Sequence, residues 1–466
     1  MKRTVVASAL FAVFVIPSVA LATDGYFSHG YGMKAKGMGG AATAMASDAF
    51  GGANNPASMV WAGDRLDIGL DLFSPKRDIS RSGSSGFGTG MDGAVTSGSN
   101  LFYIPEFGYN KMLGWDMSAG ISVYGNGGMN TDFNGGQIAG GGVNACGTGA
   151  GQFNQASQQP GPYNLLCGSG KLGVNLEQLI IAPTFAMKVN KDHSFGASLL
   201  VARQTFKANG LSAFYGYTST AFNAGFNPAA YPTNNLTERG NDSTWGYGLK
   251  LGWMGKVSDT VTLGASYTTK TRMKKFDKYK DLFAGQGYFD LPDSLNLGIA
   301  FKASPAWTIA ADYQRINYSG IRSIANASTT AADGPAGTTG GVFNSLGCDS
   351  CRGFGWSSVN VFKIGAEYQY NPNLILRAGY NHSDNPIQAR DVTFNMLAPG
   401  VVKDHATLGF TYALSKDSEL TMAYMHAFKN SVSGPSLFNK WLGDNATDTI
   451  RMYENSLGIA YSMKLK

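Results

Sequence analysis

The sequence predicts an all-β chain, a transmembrane antiparallel β-barrel of about fourteen strands with an N-terminal hatch plugging the lumen. Three observations predict it. An export leader opens the chain, stretches of alternating apolar and small or polar residues follow to its end, and the connections between them alternate short and long. Nothing after the leader approaches the ~20 consecutive apolar residues of a spanning helix. An exported chain that enters a bilayer this way must satisfy its backbone in a closed barrel.

The leader has Lys2 and Arg3 as its positive start, an apolar run from Thr4 to Ile16 and a small-residue cleavage site at Ala20-Leu21-Ala22. Residues 1–22 are therefore read as a signal peptide and Thr23 as the mature start. The rest carries 62 glycines in the full count and only 15% charged residues, where soluble chains carry about 25%. Small lumen residues and aromatic girdles fit that composition. Removing Lys2 and Arg3 takes the net charge from +6 to +4. That mild excess, with no basic stripe, predicts no nucleic-acid partner.

Period-two alternation puts successive side chains on opposite faces of a strand. The first strand, about 65–74, sets Leu66, Ile68, Leu70 and Leu72 against Asp67, Gly69 and Asp71. Near the end, Leu408, Phe410, Tyr412 and Leu414 oppose Thr407, Gly409, Thr411 and Ala413. The last strand, about 450–466, sets Leu457, Ile459, Tyr461, Met463 and Leu465 against Gly458, Ala460, Ser462 and Lys464. The apolar set suits lipid and the other set suits a lumen. Short turns fall near 112–114, 190–192, 257–259, 303–305, 371–373 and 415–417, all rich in Gly, Pro, Asn, Asp or Ser. Long segments separate them, at about 75–100, 126–176, 206–243, 273–291, 319–356, 387–403 and 429–449. Six hairpins with one strand before and one after give fourteen strands over residues 64–466, both termini periplasmic and the long loops external. A soluble β-sandwich would show shorter, mixed connections and no apolar face on nearly every strand.

The four cysteines, Cys146, Cys167, Cys348 and Cys351, all fall in external loops. Thiols oxidise in that compartment, so local disulfides Cys146–Cys167 and Cys348–Cys351 are expected, from three formal connectivities. The Cys-Asp-Ser-Cys spacing has no βαβ context, adjacent His or second such motif to make it a redox or metal site. Residues 320–350 are rich in Ala, Ser, Thr and Gly and read as a solvated flap. The loop at 206–232 instead carries Phe214, Tyr217, Phe222 and Phe226, and the next adds Phe283. So much apolar surface either packs on itself or forms an external groove for an apolar ligand.

Residues 23–63 alternate too little for a strand and carry too little charge for a disordered tail. Small residues let such a segment fold tightly in a confined space. Its run Gly37-Met38-Gly39-Gly40-Ala41-Ala42-Thr43-Ala44, then Ser47-Asp48-Ala49, then Asn54-Asn55-Pro56-Ala57-Ser58-Met59, resembles the hatch of the FadL/TodX family of outer-membrane transporters of long-chain fatty acids and other hydrophobic compounds. Leu291-Pro292-Asp293-Ser294-Leu295-Asn296-Leu297-Gly298, Gly114-Trp115 and Tyr124-Gly125 also resemble the family. The resemblance implies a fourteen-stranded barrel, an external apolar groove, an interior site reached by the mature N-terminus, and lateral release at a kinked third strand. Carried over, Asn55, Pro56 and Ala57 form a hatch gate beside the gap. Tyr124, Gly125 and Asn126 form the kink, and the stretch from Thr23 to Phe27, with Tyr26 and Phe27, is the mobile plug terminus. The implied partners are a hydrophobic small molecule and the lipid and lipopolysaccharide around a monomeric barrel, with no cofactor and no metal.

An apolar solute gains nothing from a water-filled pore, since its surface prefers to leave water by ~25 cal/mol per Å². Transport by successive apolar sites is therefore expected, with long-chain fatty acids as the first substrate and aromatic hydrocarbons or alkanes as the alternative. A fatty acid needs a cation for its carboxylate, and strand parity points Lys250, Lys363 and Arg377 into the lumen beside Asp312 and Glu367. The alternative for each is pairing with other lumen charges or with hatch carbonyls. A general porin needs an open lumen, which the hatch opposes. A hydrolase has only His382-Ser383 to offer, and neighbours on a strand face opposite sides.

Overall fold

The computed structural model describes residues 23–85, 90–138, 143–149, 152–155, 157–224, 235–328 and 346–465. The expected signal peptide, residues 1–22, lies outside them. Among the described residues, fourteen strands pair antiparallel with their sequence neighbours: β1 (Arg65–Ser82), β2 (Phe102–Met112), β3 (Met117–Asn130), β4 (Gly173–Lys188), β5 (His193–Asn209), β6 (Asp242–Lys256), β7 (Val261–Thr268), β8 (Ser294–Lys302), β9 (Trp307–Ile316), β10 (Val359–Asn371), β11 (Leu374–Ser383), β12 (Asp404–Ala413), β13 (Ser418–Pro435) and β14 (Thr447–Lys464). Pairing of β1 with β14, from Arg65↔Lys464 to Ser82↔Thr447, closes the barrel. Two short strands, Gly93–Thr96 and Arg272–Met273, add to the edges of β1 and β6.

Alternation sorts the side chains as the sequence predicts. Leu457, Ile459 and Tyr461 are 44%, 44% and 43% exposed on the outer face, while the alternate residues Ala460 and Ser462 are buried. The exposed outer face, carrying Leu249, Leu297, Ile364 and Leu408 among others, is the apolar band that meets lipid. Beyond their ends, β1 and β14 exceed the expected first and last strands. The run Pro75-Lys76-Arg77-Asp78 hides the alternation, yet β14 pairs with all of it. Inward Arg81 then reaches Asp448 with two charge-assisted bonds of 2.7 and 3.0 Å.

The long connections fold over one end and pack together. Phe206, Phe276, Tyr279, Phe283 and Phe289 form one buried aromatic cluster, with Phe206 and Phe283 centroids 4.7 Å apart. Disulfides Cys146–Cys167 and Cys348–Cys351 tie two of these loops, as the local pairing anticipates.

The segment Thr23–Asp64 runs within the wall, bonded to inward side chains around the circumference. Asp67 on β1 accepts from the Ala49 amide at 2.7 Å, Ser122 on β3 donates to the Ala49 carbonyl, and Ser194 on β5 donates to the Ala57 carbonyl. Asp312 on β9 accepts from the Ala42 and Thr43 amides at 2.8 and 2.9 Å. Thr407 on β12 accepts from the Gly39 amide and donates to the Gly37 carbonyl. A short helix, α1 (Met33–Gly37), places Lys34 against Glu419 of β13 and Lys36 against Asp71 of β1. Buried pairs of this kind add little net stability but fix position, because breaking one strands a charge.

Candidate functional site at the third strand

β3 begins as an ordinary strand, with outward Met117, Ala119 and Ile121 at least partly exposed. From Ser122 to Asn130 every residue is buried. The change has a local cause. Opposite β4 the register slips between Gly125↔Leu179 and Gly127↔Gln178, so Asn126 is an extra residue, a β-bulge. Bulges bend a strand and turn it away from one neighbour. Here the neighbour is β2. Their pairing runs from Met112↔Ser118 to Phe107↔Val123 and stops, although β2 continues to pair with β1 as far as Phe73↔Phe102. The outer half of β3 therefore leaves the wall beside β2 and turns inward, with a free backbone edge.

Tyr26, Phe27 and Ser28 cover that edge. The Ser28 amide donates to the Asn126 carbonyl and the Gly128 amide donates to the Tyr26 carbonyl, each at 3.2 Å. A side chain at Gly127 would put its Cβ 1.7 Å from the Tyr26 oxygen, so glycine is required by the close approach. Asn126 turns its own amide to Gln178 at 2.9 Å and accepts from the Tyr31 hydroxyl at 3.1 Å. Tyr31 and Tyr124 rings lie 4.6 Å apart. On the other side, Tyr26 is fully buried among Phe27, Phe289, Tyr318 and Trp356, and the Tyr318 hydroxyl donates to the Asp24 carbonyl at 2.6 Å. Burial, opposed by nearby Lys363, raises the Asp24 carboxyl to about 6.

A cavity lies directly behind the bulge, lined by Phe27, Tyr31, Tyr124, Asn126, Ile180, Leu200, Lys250 and Leu291. Its free space is about 30 Å³, room for a water or two. A larger molecule enters only if these side chains move. The wall mixes these apolar side chains with polar ones, Asn126 and Lys250 together with Thr268, Thr271, Ser294 and Gln314.

The residues expected at a site fall in four places. Tyr124, Gly125 and Asn126 stand at the bulge, and Tyr26 and Phe27 on its edge. The Asn55-Pro56-Ala57 turn does not: it corrects the expectation of a turn beside the gap. It seats against β5 and β6, where Gly196 and Gly252 face each other in register and leave a niche. A Cβ on Gly196 would lie 2.4 Å from the Pro56 carbonyl carbon, and one on Gly252 2.0 Å from Asn55 Oδ1. Asn55 caps the turn, accepting from the Ala57 amide and donating to the carbonyls of Thr43 and Trp253.

All three lumen cations point inward, and each is engaged. Lys250 donates to the Ala53 carbonyl. Lys363 donates to the His29 carbonyl at 2.9 Å and lies 3.9 Å from Asp24. Arg377 binds Glu367 at 2.7 Å and Thr411 at 2.6 Å. Only Lys250 borders the cavity. In the external loops Phe214 and Phe283 are 4% and 2% exposed and Tyr217 packs on the same cluster, so an open groove there requires these rings to part. Phe226 and the Phe222 side chain lie outside the described residues. His382 faces out and bonds Asp404 at 2.6 Å, away from inward Ser383. Tyr31, Gln178, Tyr318 and Trp356 complete the site and have no signal in the sequence beyond being aromatic or polar at alternating positions.

Similar barrels are known. The P. putida toluene transporter TodX matches with a TM-score of 0.62 at 19% identity, over 94% of this chain and 99% of that one. The Ralstonia pickettii toluene transporter TbuX gives 0.59 at 18%, over 94% and 99%. A Pseudomonas aeruginosa FadL homologue gives 0.62 at 14%, over 95% and 100%. At these identities the likeness is one of fold. Comparison with curated proteins yields no match. Residues 164–436, more than half of the sequence, match a family described as outer membrane protein transport protein (OMPP1/FadL/TodX). The chain belongs to that family of outer-membrane transport proteins.

Proposed function

We propose that the protein takes up small, uncharged hydrophobic compounds without an energy source, releasing them sideways through the wall between β2 and β3. The N-terminal segment acts as a hatch. A ligand held by the loop aromatics passes to the space behind Tyr124, Phe27 and Tyr31 yield to it, and it leaves where Tyr26–Ser28 give up the β3 edge. One observation carries this reading: β2–β3 pairing stops at Phe107↔Val123, and the freed edge is covered by Tyr26–Ser28 of the N-terminal segment rather than by a strand. An apolar solute released there goes directly from protein to lipid and never meets water.

The engagement of Lys250, Lys363 and Arg377 favours an uncharged ligand, because a carboxylate would have to displace an existing partner. The toluene transporters among the similar structures support the same choice. A fatty acid is the second reading, favoured by Lys250 at the cavity wall. Uptake of labelled toluene and oleate by cells lacking and expressing the protein separates them. Toluene alone is the expected gain; oleate alone assigns fatty acids, and no gain in either overturns the transport route.

A further inference from the structure

The outer face of the barrel is apolar up to a sharp level on β5 and β6, and there it becomes cationic. On β5 the outward residues are Phe195, Ala197, Leu199 and Val201, then Arg203 and Lys207. Phe195 to Arg203 spans eight residues, a rise of ~20 Å on a tilted strand, close to the height of an outer-membrane apolar band. Arg203 pairs in register with Trp245 of β6. On the far side of Trp245 runs the short strand that starts at Arg272: Arg272 pairs with Tyr247, and the Lys274 amide donates to the Trp245 carbonyl. Arg203 and Lys274 therefore flank Trp245, with Arg272 one outward position below and Lys207 two above. All four point outward and are exposed or half-buried.

Their charge is only partly offset in place. Among the described residues none of Arg203, Lys207, Arg272 or Lys274 makes an ion pair with an acid. The acids nearby are Glu177, opposite Thr205, Asp242 and Asp290: Glu177 accepts from Asn175, Asp242 from the Lys278 and Ser243 amides, and Asp290, which accepts from the Met273 amide, lies within electrostatic reach of Arg272. At the wall of β1 and β14 an acid stands in register with the outward cation, Asp78 directly opposite Arg451, without an ion pair between them. A patch of unpaired cations around a tryptophan, at the upper edge of a lipid-facing surface, is complementary to a phosphorylated sugar headgroup whose acyl chains lie below it.

We propose that this patch binds the phosphorylated headgroup of an outer-leaflet glycolipid, the lipid A portion of lipopolysaccharide, with its acyl chains along Leu199 and Tyr247. Purified barrel in detergent, its fold checked by heat-modifiable gel mobility, is titrated with diphosphoryl lipid A and followed by native mass spectrometry. Arg203→Gln/Arg272→Gln/Lys274→Gln should lose at least tenfold in affinity, Arg451→Gln should not, and lipid A stripped of phosphate should bind as weakly as the triple variant. If the triple variant does not fold, the single variants Arg203→Gln and Lys274→Gln should each weaken binding several-fold. Unchanged affinity in the variants, or equal binding of dephosphorylated lipid A, overturns the site. Occupancy by inorganic phosphate as strong as by lipid A also overturns it, as a simple anion patch.

Discussion

Gly127 has the least freedom of any residue at the site, because the Tyr26 carbonyl occupies the place of its missing side chain. In Gly127→Ala the Tyr26–Ser28 stretch must leave the β3 edge. The Ser28 and Gly128 amides, now bonded across it, should exchange with deuterium at least tenfold faster in the folded barrel; unchanged rates would mean that the edge tolerates the methyl group. Asp24 makes the same contact sensitive to pH. Burial raises its carboxyl above the ordinary value, so the folded state favours the protonated form. The sign follows: this contribution is complete below about pH 4, is lost as pH rises through about 6, and amounts to at most about 3 kcal/mol. Protection of the same two amides should be higher at pH 5 than at pH 8, and Asp24→Asn should flatten the difference. At this scale the sequence is legible where a residue type is rare in its setting, as with Asn126 between glycines in a strand. Tyr318 and Gln178 were not legible, since an inward Tyr or Gln on an alternating strand looks the same whether it touches the hatch or water.

The bulge is a property of β3 as an element. Removing Asn126 leaves every residue beyond it opposite its present β4 partner, so the faces are kept and only the bulge that bends the strand is lost. The deletion should bring the outer half of β3 back toward β2 and abolish hydrophobic uptake while the protein still reaches the membrane folded, as judged by gel mobility. Uptake at the wild-type rate would remove the lateral route. The six short turns were readable because their Gly, Pro, Asn, Asp and Ser clusters have a mechanical reason to reverse the chain. The outer extensions of β1 and β14 were not. Of their charges, Arg77, Arg81 and Asp448 point inside a loop-capped barrel and Asp78 and Arg451 point outward, a mixture that alternation alone cannot distinguish from an external loop. The loop aromatics were visible as apolar content, but whether they face a ligand or one another depends on contacts between loops far apart in sequence, as with Phe206 and Phe283.

For the whole molecule the decisive feature is that the N-terminal segment is bonded to nearly every part of the wall. A chain lacking residues 24–62 should close as a barrel, since β1 to β14 pair without it, but with its lumen unfilled. In planar bilayers it should conduct ions steadily where the intact protein is nearly silent; equal conductance in the two would show that the segment does not occlude the lumen. Strand count, periplasmic termini and outer-membrane location follow from the period of the sequence and the lengths of its connections. Which seam opens does not, because it depends on where one extra residue falls and what happens to lie beside it.

The partners of Lys34, Lys36 and Gly39 have a consequence for biogenesis. Lys36 finds Asp71 of β1 soon after it is made, yet Lys34 and Gly39 are held by Glu419 of β13 and Thr407 of β12. The segment therefore cannot complete its bonds until the late strands exist. Its final seating is tied to closure of the barrel.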